Sequence, residues 1–162
     1  MSATKGDSKF RMRSSLLFVL LSFYLSGRPA LSDSLPIKIE KAWVQAVPSV
    51  SDVTAAYMKI TNLSATPLRL TSAFSPAATR VEPMITTRKE NGGREIMGMQ
   101  SVAELVIPAG NSLELKPGGD HLMIIGLRIH PKEGDNLKLT VRFAPGDQKL
   151  DLEIPIFKEE PK

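Results

Sequence analysis

The chain has 162 residues, no cysteine, and 21 Lys/Arg against 17 Asp/Glu, for a formal charge of +4. That excess sits wholly in residues 1–32, which hold five basic residues and one acidic one; the remaining 130 carry 16 of each. A neutral remainder argues against a nucleic-acid-binding surface, and the missing thiols exclude cysteine nucleophiles, disulfides and thiolate-bound metals.

Taken in chain order, the first element is an export signal. Lys5, Lys9, Arg11 and Arg13 precede the apolar run SLLFVLLSFYL, followed by Gly27-Arg28-Pro29 and the small-residue pattern Ala30-Leu31-Ser32. A basic head, a short apolar stretch and a small-residue cleavage site define a secretory signal peptide, cut here after Ser32. The run is shorter than the roughly 20 residues that a spanning helix needs, so an uncleaved anchor is the lesser reading. The expected product is a single exported domain, 33–162, with no membrane span and with room for one hydrophobic core without disulfides.

No stretch of that domain carries a long helical period. Short β-branched and apolar runs alternate instead with Pro, Gly, Asn, Asp and Ser. Strands are predicted at 37–47, 55–62, 68–74, 80–87, 95–99, 104–107, 112–115, 121–127, 137–143 and 149–156, an all-β sandwich or barrel. The plainest is Leu137-Lys138-Leu139-Thr140-Val141-Arg142-Phe143, where every odd position is apolar and every even one polar. Turn chemistry lies between the runs. Asn62-Leu63-Ser64-Ala65-Thr66-Pro67 forms a short hairpin link, Pro108-Ala109-Gly110-Asn111 and Pro117-Gly118-Gly119-Asp120 reverse strands, and Glu90-Asn91-Gly92-Gly93 forms a hairpin tip. Trp43, Tyr57, Phe74, Phe143 and Phe157 are spaced along the strands as core residues are, which leaves little for an aromatic binding patch.

Enzymatic constellations are poor. The only histidines are His121 and His130, and no nucleophile elbow, phosphate loop or H-E-x-x-H is present. An enzyme is not expected. Methionines carry more information, because five lie beyond the signal: Met58, Met84, Met97, Met99 and Met123. His121-Leu122-Met123 puts an imidazole and a thioether on one strand face, since strand faces repeat every second residue. That pair suits a soft ion such as Cu(I). Met97-Gly98-Met99 repeats the spacing, and its glycine permits close approach of another segment. The ordinary reading stands beside this one, for methionine commonly fills cores. Met58 reads as core, Met97 as core or hairpin packing, and His130 as a surface residue. For His121 and Met123, spacing alone leaves both readings open.

These residues resemble the PCuAC-type periplasmic copper chaperones. The resemblance runs from Lys38 to Ile156 and is densest in Ala42-Trp43, Ala55-Ala56-Tyr57, Ser75-Pro76-Ala77-Ala78, Arg80-Val81-Glu82, Ile107-Pro108-Ala109-Gly110 and the run Leu115 to Met123. The family's motif is a His or Met, then a Met in Met-x-Met, then twenty-one residues and His-x-Met. Here twenty-one residues separate Met99 from His121-Leu122-Met123. The first position, usually histidine, is Met84 in Val81-Glu82-Pro83-Met84. Fourteen residues separate it from Met99, four more than usual, the extra ones falling at the hairpin tip. An even-numbered insertion there keeps both side chains on one face.

The resemblance implies a cupredoxin-like Greek-key β-sandwich that binds one copper ion through Met84, Met99, His121 and Met123. Three thioethers and an imidazole are all neutral and favour Cu(I) over Cu(II). A blue-copper electron-transfer centre is excluded, for it needs a cysteine. The resemblance further implies a periplasmic monomer that delivers copper to the CuA site of cytochrome c oxidase subunit II, alongside a Sco-type thiol protein. Copper buffering or resistance, and a metal-free exported binding module, are the alternative functions.

Overall fold

Alternation builds the strands. Leu137, Leu139, Val141 and Phe143 point inward and are each no more than 1% exposed, while Lys138 and Arg142 between them face solvent. The computed structural model describes residues 36–162, and the proposed signal segment 1–32 with its cleavage site lies outside them. Ten strands follow: β1 (Ile37–Gln45), β2 (Val53–Asn62), β3 (Leu68–Phe74), β4 (Ala78–Asn91), β5 (Arg94–Ser101), β6 (Leu105–Ile107), β7 (Ser112–Leu115), β8 (His121–Leu127), β9 (Asn136–Ala144) and β10 (Gln148–Phe157). No helix occurs among the described residues. Each predicted strand is present. The largest boundary difference is β4, which runs on to Asn91 because the β4–β5 ladder continues to the tip.

Seven strands close on themselves in the order β4-β8-β2-β1-β10-β9-β3, and β3 returns to β4 where Ala73 faces Val81. The parallel pairing is β1 with β10, through Val44 opposite Ile156. Short β6 and β7 extend the edges of β3 and β2, and β5 extends that of β4. The connections make a Greek key. Its interior holds Met58, Leu70, Leu122, Ile124, Phe143 and Ile156, all at most 1% exposed, so the core reading of Met58 is borne out.

Two bulges decide which residues reach the outside. On β1, Glu40 opposes Lys59 and Trp43 opposes Tyr57, so Lys41 and Ala42 together face Met58 alone. Lys41 accommodates the extra residue at φ 51°, in the left-handed region. Before the bulge Ile37 and Ile39 lean on the core; after it Val44 does, and Trp43 and Gln45 are turned to the outer face. On β3 the register slips between Leu70, opposite Phe143, and Ser72, opposite Arg142. That slip corrects one sequence expectation. Phe74 would share the inward parity of Leu68 and Leu70, but beyond the bulge it points outward and is 55% exposed.

Candidate metal site

The site begins with the double life of β4. Its first half pairs with β8, from Ala78 opposite Leu127 to Met84 opposite His121. Its second half pairs with β5, from Met84 opposite Ser101 to Asn91 opposite Arg94. The two-residue loop Gly92-Gly93 has φ values of 60° and 78°, the mirror-image turn that matches the strand twist. Pro83 sits where these partners change. Its carbonyl accepts Val102 N–H at 3.0 Å, so its nitrogen faces that same edge, past the one pair that β4 makes with β3 and before the β5 ladder begins. The missing donor therefore costs no ladder bond.

Cross-strand partners share a face. Met84 faces His121, Glu82 faces Met123, Thr86 faces Met99, and Arg88 faces Met97. All four predicted ligands therefore lie on one outer face, opposite the face from which Val81, Leu122 and Ile124 enter the core. The even-numbered extension of the hairpin has kept Met84 and Met99 together, as parity requires.

The Lys116–Asp120 turn sets the imidazole. Lys116 N–H reaches the Asp120 carbonyl at 2.8 Å, Gly119 N–H reaches the Lys116 carbonyl at 3.0 Å, and Gly118 supplies φ 73°. The turn presents the Gly119 carbonyl 2.9 Å from His121 Nδ1. A carbonyl can only accept, so Nδ1 carries the proton and the Nε2 lone pair is left for another partner. That backbone contact fixes the tautomer and ring as metal-binding histidines require. One residue earlier, Asp120 Oδ1 accepts Thr86 N–H at 2.9 Å. Thr86 lies just past the start of β8, so the carboxylate stands in for the ladder bond that a longer β8 would supply. It fastens the strand carrying Met84 to the turn carrying His121.

An aromatic floor lies behind the imidazole. The Tyr57 ring is 6.3 Å from that of His121, and Trp43 is 4.7 Å from Tyr57. Tyr57 donates its hydroxyl to Gln45 Oε1 at 3.2 Å, and burial pushes its phenol above the ordinary tyrosine range. The β1 bulge is what brings Trp43 and Gln45 to this face. Nothing in the sequence distinguishes that arrangement from core packing, which is why the floor was not foreseen.

The donors grade from buried to exposed. Met84 and His121 are 8% and 7% exposed, Met123 is half-buried, and Met99 is 65% exposed. Met99, His121 and Met123 line a cleft of about 350 Å³ with Gln45, Tyr57, Thr86 and Gly119; Met84, paired with His121, does not line it. Met97 lines it too and is 55% exposed, so of its two readings, core or hairpin packing, the core one gives way to a side chain on the β4–β5 hairpin that lines the cleft. Gly98 lets β5 lie close to β4, since a Cβ there would stand 3.1 Å from Thr87 Oγ1. His130 is exposed and outside the cleft, in line with its surface reading. Among the described residues no three His, Cys, Asp or Glu side chains converge on a metal position. What the site offers is neutral and soft.

Comparison with known proteins agrees with the fold and the family. A copper-bound PCuAC domain from PmoF2 superposes with a TM-score of 0.62 at 19% identity, covering 75% of this chain and 92% of that domain. The Cu(I) solution structure of DR1885 from Deinococcus radiodurans gives 0.62 at 34% identity, over 78% of this chain and 82% of the other. The putative lipoprotein Lxx21020 of Leifsonia xyli subsp. xyli (strain CTCB07) is 34% identical over 110 residues, which span 68% of this chain and 63% of that protein. The fold is thus the cupredoxin-like one of PCuAC domains. A family model described as putative lipoprotein LpqE-like matches residues 37–156, and the chain belongs to that LpqE-like, PCuAC-type family.

Proposed function

We propose that this protein is a periplasmic copper chaperone that binds one Cu(I) through Met84, Met99, His121 and Met123 and hands it on. The observation that carries this reading is the convergence of soft, neutral donors on one outer face, with the Gly119 carbonyl holding the imidazole so that Nε2 is free. Thioethers and a neutral imidazole offset the charge of a divalent ion poorly and match Cu(I). The Cu(I) form of DR1885 is a relative of the same fold carrying the same ion. The half-exposed outer donors suit release by ligand exchange.

The destination we propose is the CuA site of cytochrome c oxidase subunit II, reached together with a Sco-type thiol protein. Export follows from the signal-like segment 1–32 and is supported by the lipoprotein designation of the Leifsonia relative. No cysteine occurs among the 162 residues, so a thioether-linked lipid has no attachment point within them.

Titration of the purified protein with Cu(I) against a chromogenic chelator tests the reading. One tightly held equivalent is expected, with a change in emission of Trp43, the sole tryptophan, which lies against Tyr57 behind the site. No bound equivalent would sink the function. Delivery separates from buffering when the loaded protein meets the apo CuA domain: copper that stays put, while the chelator still removes it, argues for buffering.

Asp120 gives a second test. Asp120→Ala strips Thr86 N–H of its acceptor and loosens β4 from the His121 turn, and Cu(I) affinity should drop by about tenfold, the lower end for loss of a group that supports a ligand. Asp120→Asn keeps an acceptor oxygen and should stay within about threefold of wild type. Equal losses in both would assign the effect to charge instead of to the hydrogen bond.

A further inference from the structure

We infer that Met97 is a fifth copper donor, used in transit: it holds the ion as it enters and leaves, and yields it to the resident set. This rests on the Cu(I) reading above. Four donors satisfy Cu(I), yet five soft side chains occupy this one face, so one is surplus at equilibrium. The strand register says which. Counting outward along the hairpin, Met84 faces His121, Met99 stands opposite Thr86 two residues on, and Met97 stands opposite Arg88 two further. Each step of two residues advances the chain by about 7 Å, so Met97 is the donor farthest from the buried Met84–His121 pair.

Exposure divides the inner pair from the outer two. Met84 and His121 are nearly enclosed, while Met99 and Met97 stand 65% and 55% exposed. Both outer thioethers line the cleft that His121 and Met123 also line. An exposed methionine on an edge strand gains little from burial, so packing does not account for Met97. The cleft, at about 350 Å³, also exceeds what a single ion fills. It leaves room for an incoming ligand to bind before an outgoing one departs.

A donor that holds the ion only on the way through lowers the barrier in both directions and leaves the end states alone. Kinetics and equilibrium should therefore part company. In Met97→Leu, which keeps bulk and removes the sulfur donor, Cu(I) transfer to an excess of chelator should slow by about tenfold or more while Kd stays within about threefold. Met99→Leu, the comparison, should weaken Kd itself. With methyl-labelled methionine, the Met97 methyl resonance should shift and broaden on partial loading, and the Met58 methyl, in the core, should not move.

An unchanged transfer rate in Met97→Leu overturns the proposal. A loss of affinity equal to that of Met99→Leu also overturns it, by making Met97 a resident ligand. Wild-type protein that binds no Cu(I) would overturn the copper reading as a whole, a result distinguishable because it precedes any variant. Since Met97 is exposed, an unaltered far-ultraviolet spectrum and melting temperature will show that the leucine variant is folded.

Discussion

His121→Ala should weaken Cu(I) binding by at least about a hundredfold, a loss of about 2.7 kcal/mol, in competition with a chelator at fixed pH. The other three proposed donors are thioethers, so this change removes the sole nitrogen ligand. It removes the best-held donor too, since the ring is 7% exposed and fixed by the Gly119 carbonyl at 2.9 Å. Its effect on the fold should be small. The imidazole lies on the outer face, and its loss frees a carbonyl that water can reach.

His121→Met separates the ligand from the position. It restores a soft donor, and affinity should recover to within about tenfold of wild type. The pH response should then disappear. In wild type a proton competes for Nε2, so affinity falls as pH is lowered, by no more than about tenfold per pH unit for a single titrating ligand. An all-thioether site has no proton to exchange. A pH response that persists in His121→Met would place the titrating group elsewhere, and unchanged affinity in His121→Ala would remove His121 from the site.

Most of the strand pattern was legible because β9 and β10 obey strict alternation, and alternation survives without knowledge of partners. What defeated sequence reading was the change of parity at bulges. Phe74 looked inward by counting from Leu68 and Leu70, but the slip after Leu70 reversed it. The β1 bulge at Lys41 did the same for Trp43, and there the reversal builds the aromatic floor of the site. A bulge is a tertiary decision, set by the neighbouring strand, and Lys41 and Thr71 carry no local mark of it.

The proposed ligands were legible for a related reason. His121 and Met123 share a face by period alone, and Met84 and Met99 are related by hairpin parity, which a count of residues captures. Asp120 was not legible. Its role depends on β8 beginning two residues too late to satisfy Thr86 N–H, a fact of register that no spacing shows. The core half of the Met97 reading failed because an apolar side chain on a strand is usually buried, whereas β5 is an edge strand with little to cover it.

Gly126→Ala should lower the stability of the apo protein by about 3 kcal/mol, or about 10 °C in melting temperature, and leave Cu(I) affinity within about threefold. Gly126 lies near the end of β8 with φ 70°, where a side chain costs on the order of 1 kcal/mol or more. Space is the larger difficulty. A Cβ would fall 2.5 Å from Thr79 Oγ1 and 2.8 Å from Thr79 Cβ, across the β4–β8 ladder that ends at Met84 and His121. The two costs can be separated, because Thr79→Gly removes both clashing atoms and should return Gly126→Ala to the backbone cost alone. Binding should hold because Gly126 stands five residues from His121, about 17 Å along the strand, and the Asp120–Thr86 bond anchors the far end independently. Copper should then mask the defect. At a free ion concentration a hundred times Kd, binding adds about 2.7 kcal/mol, so the loaded variant should melt close to the apo wild type. Should affinity fall in step with stability instead, the ladder would be transmitting strain along its whole length, and the site would depend on the β4–β8 pairing as a unit and not on its last two pairs.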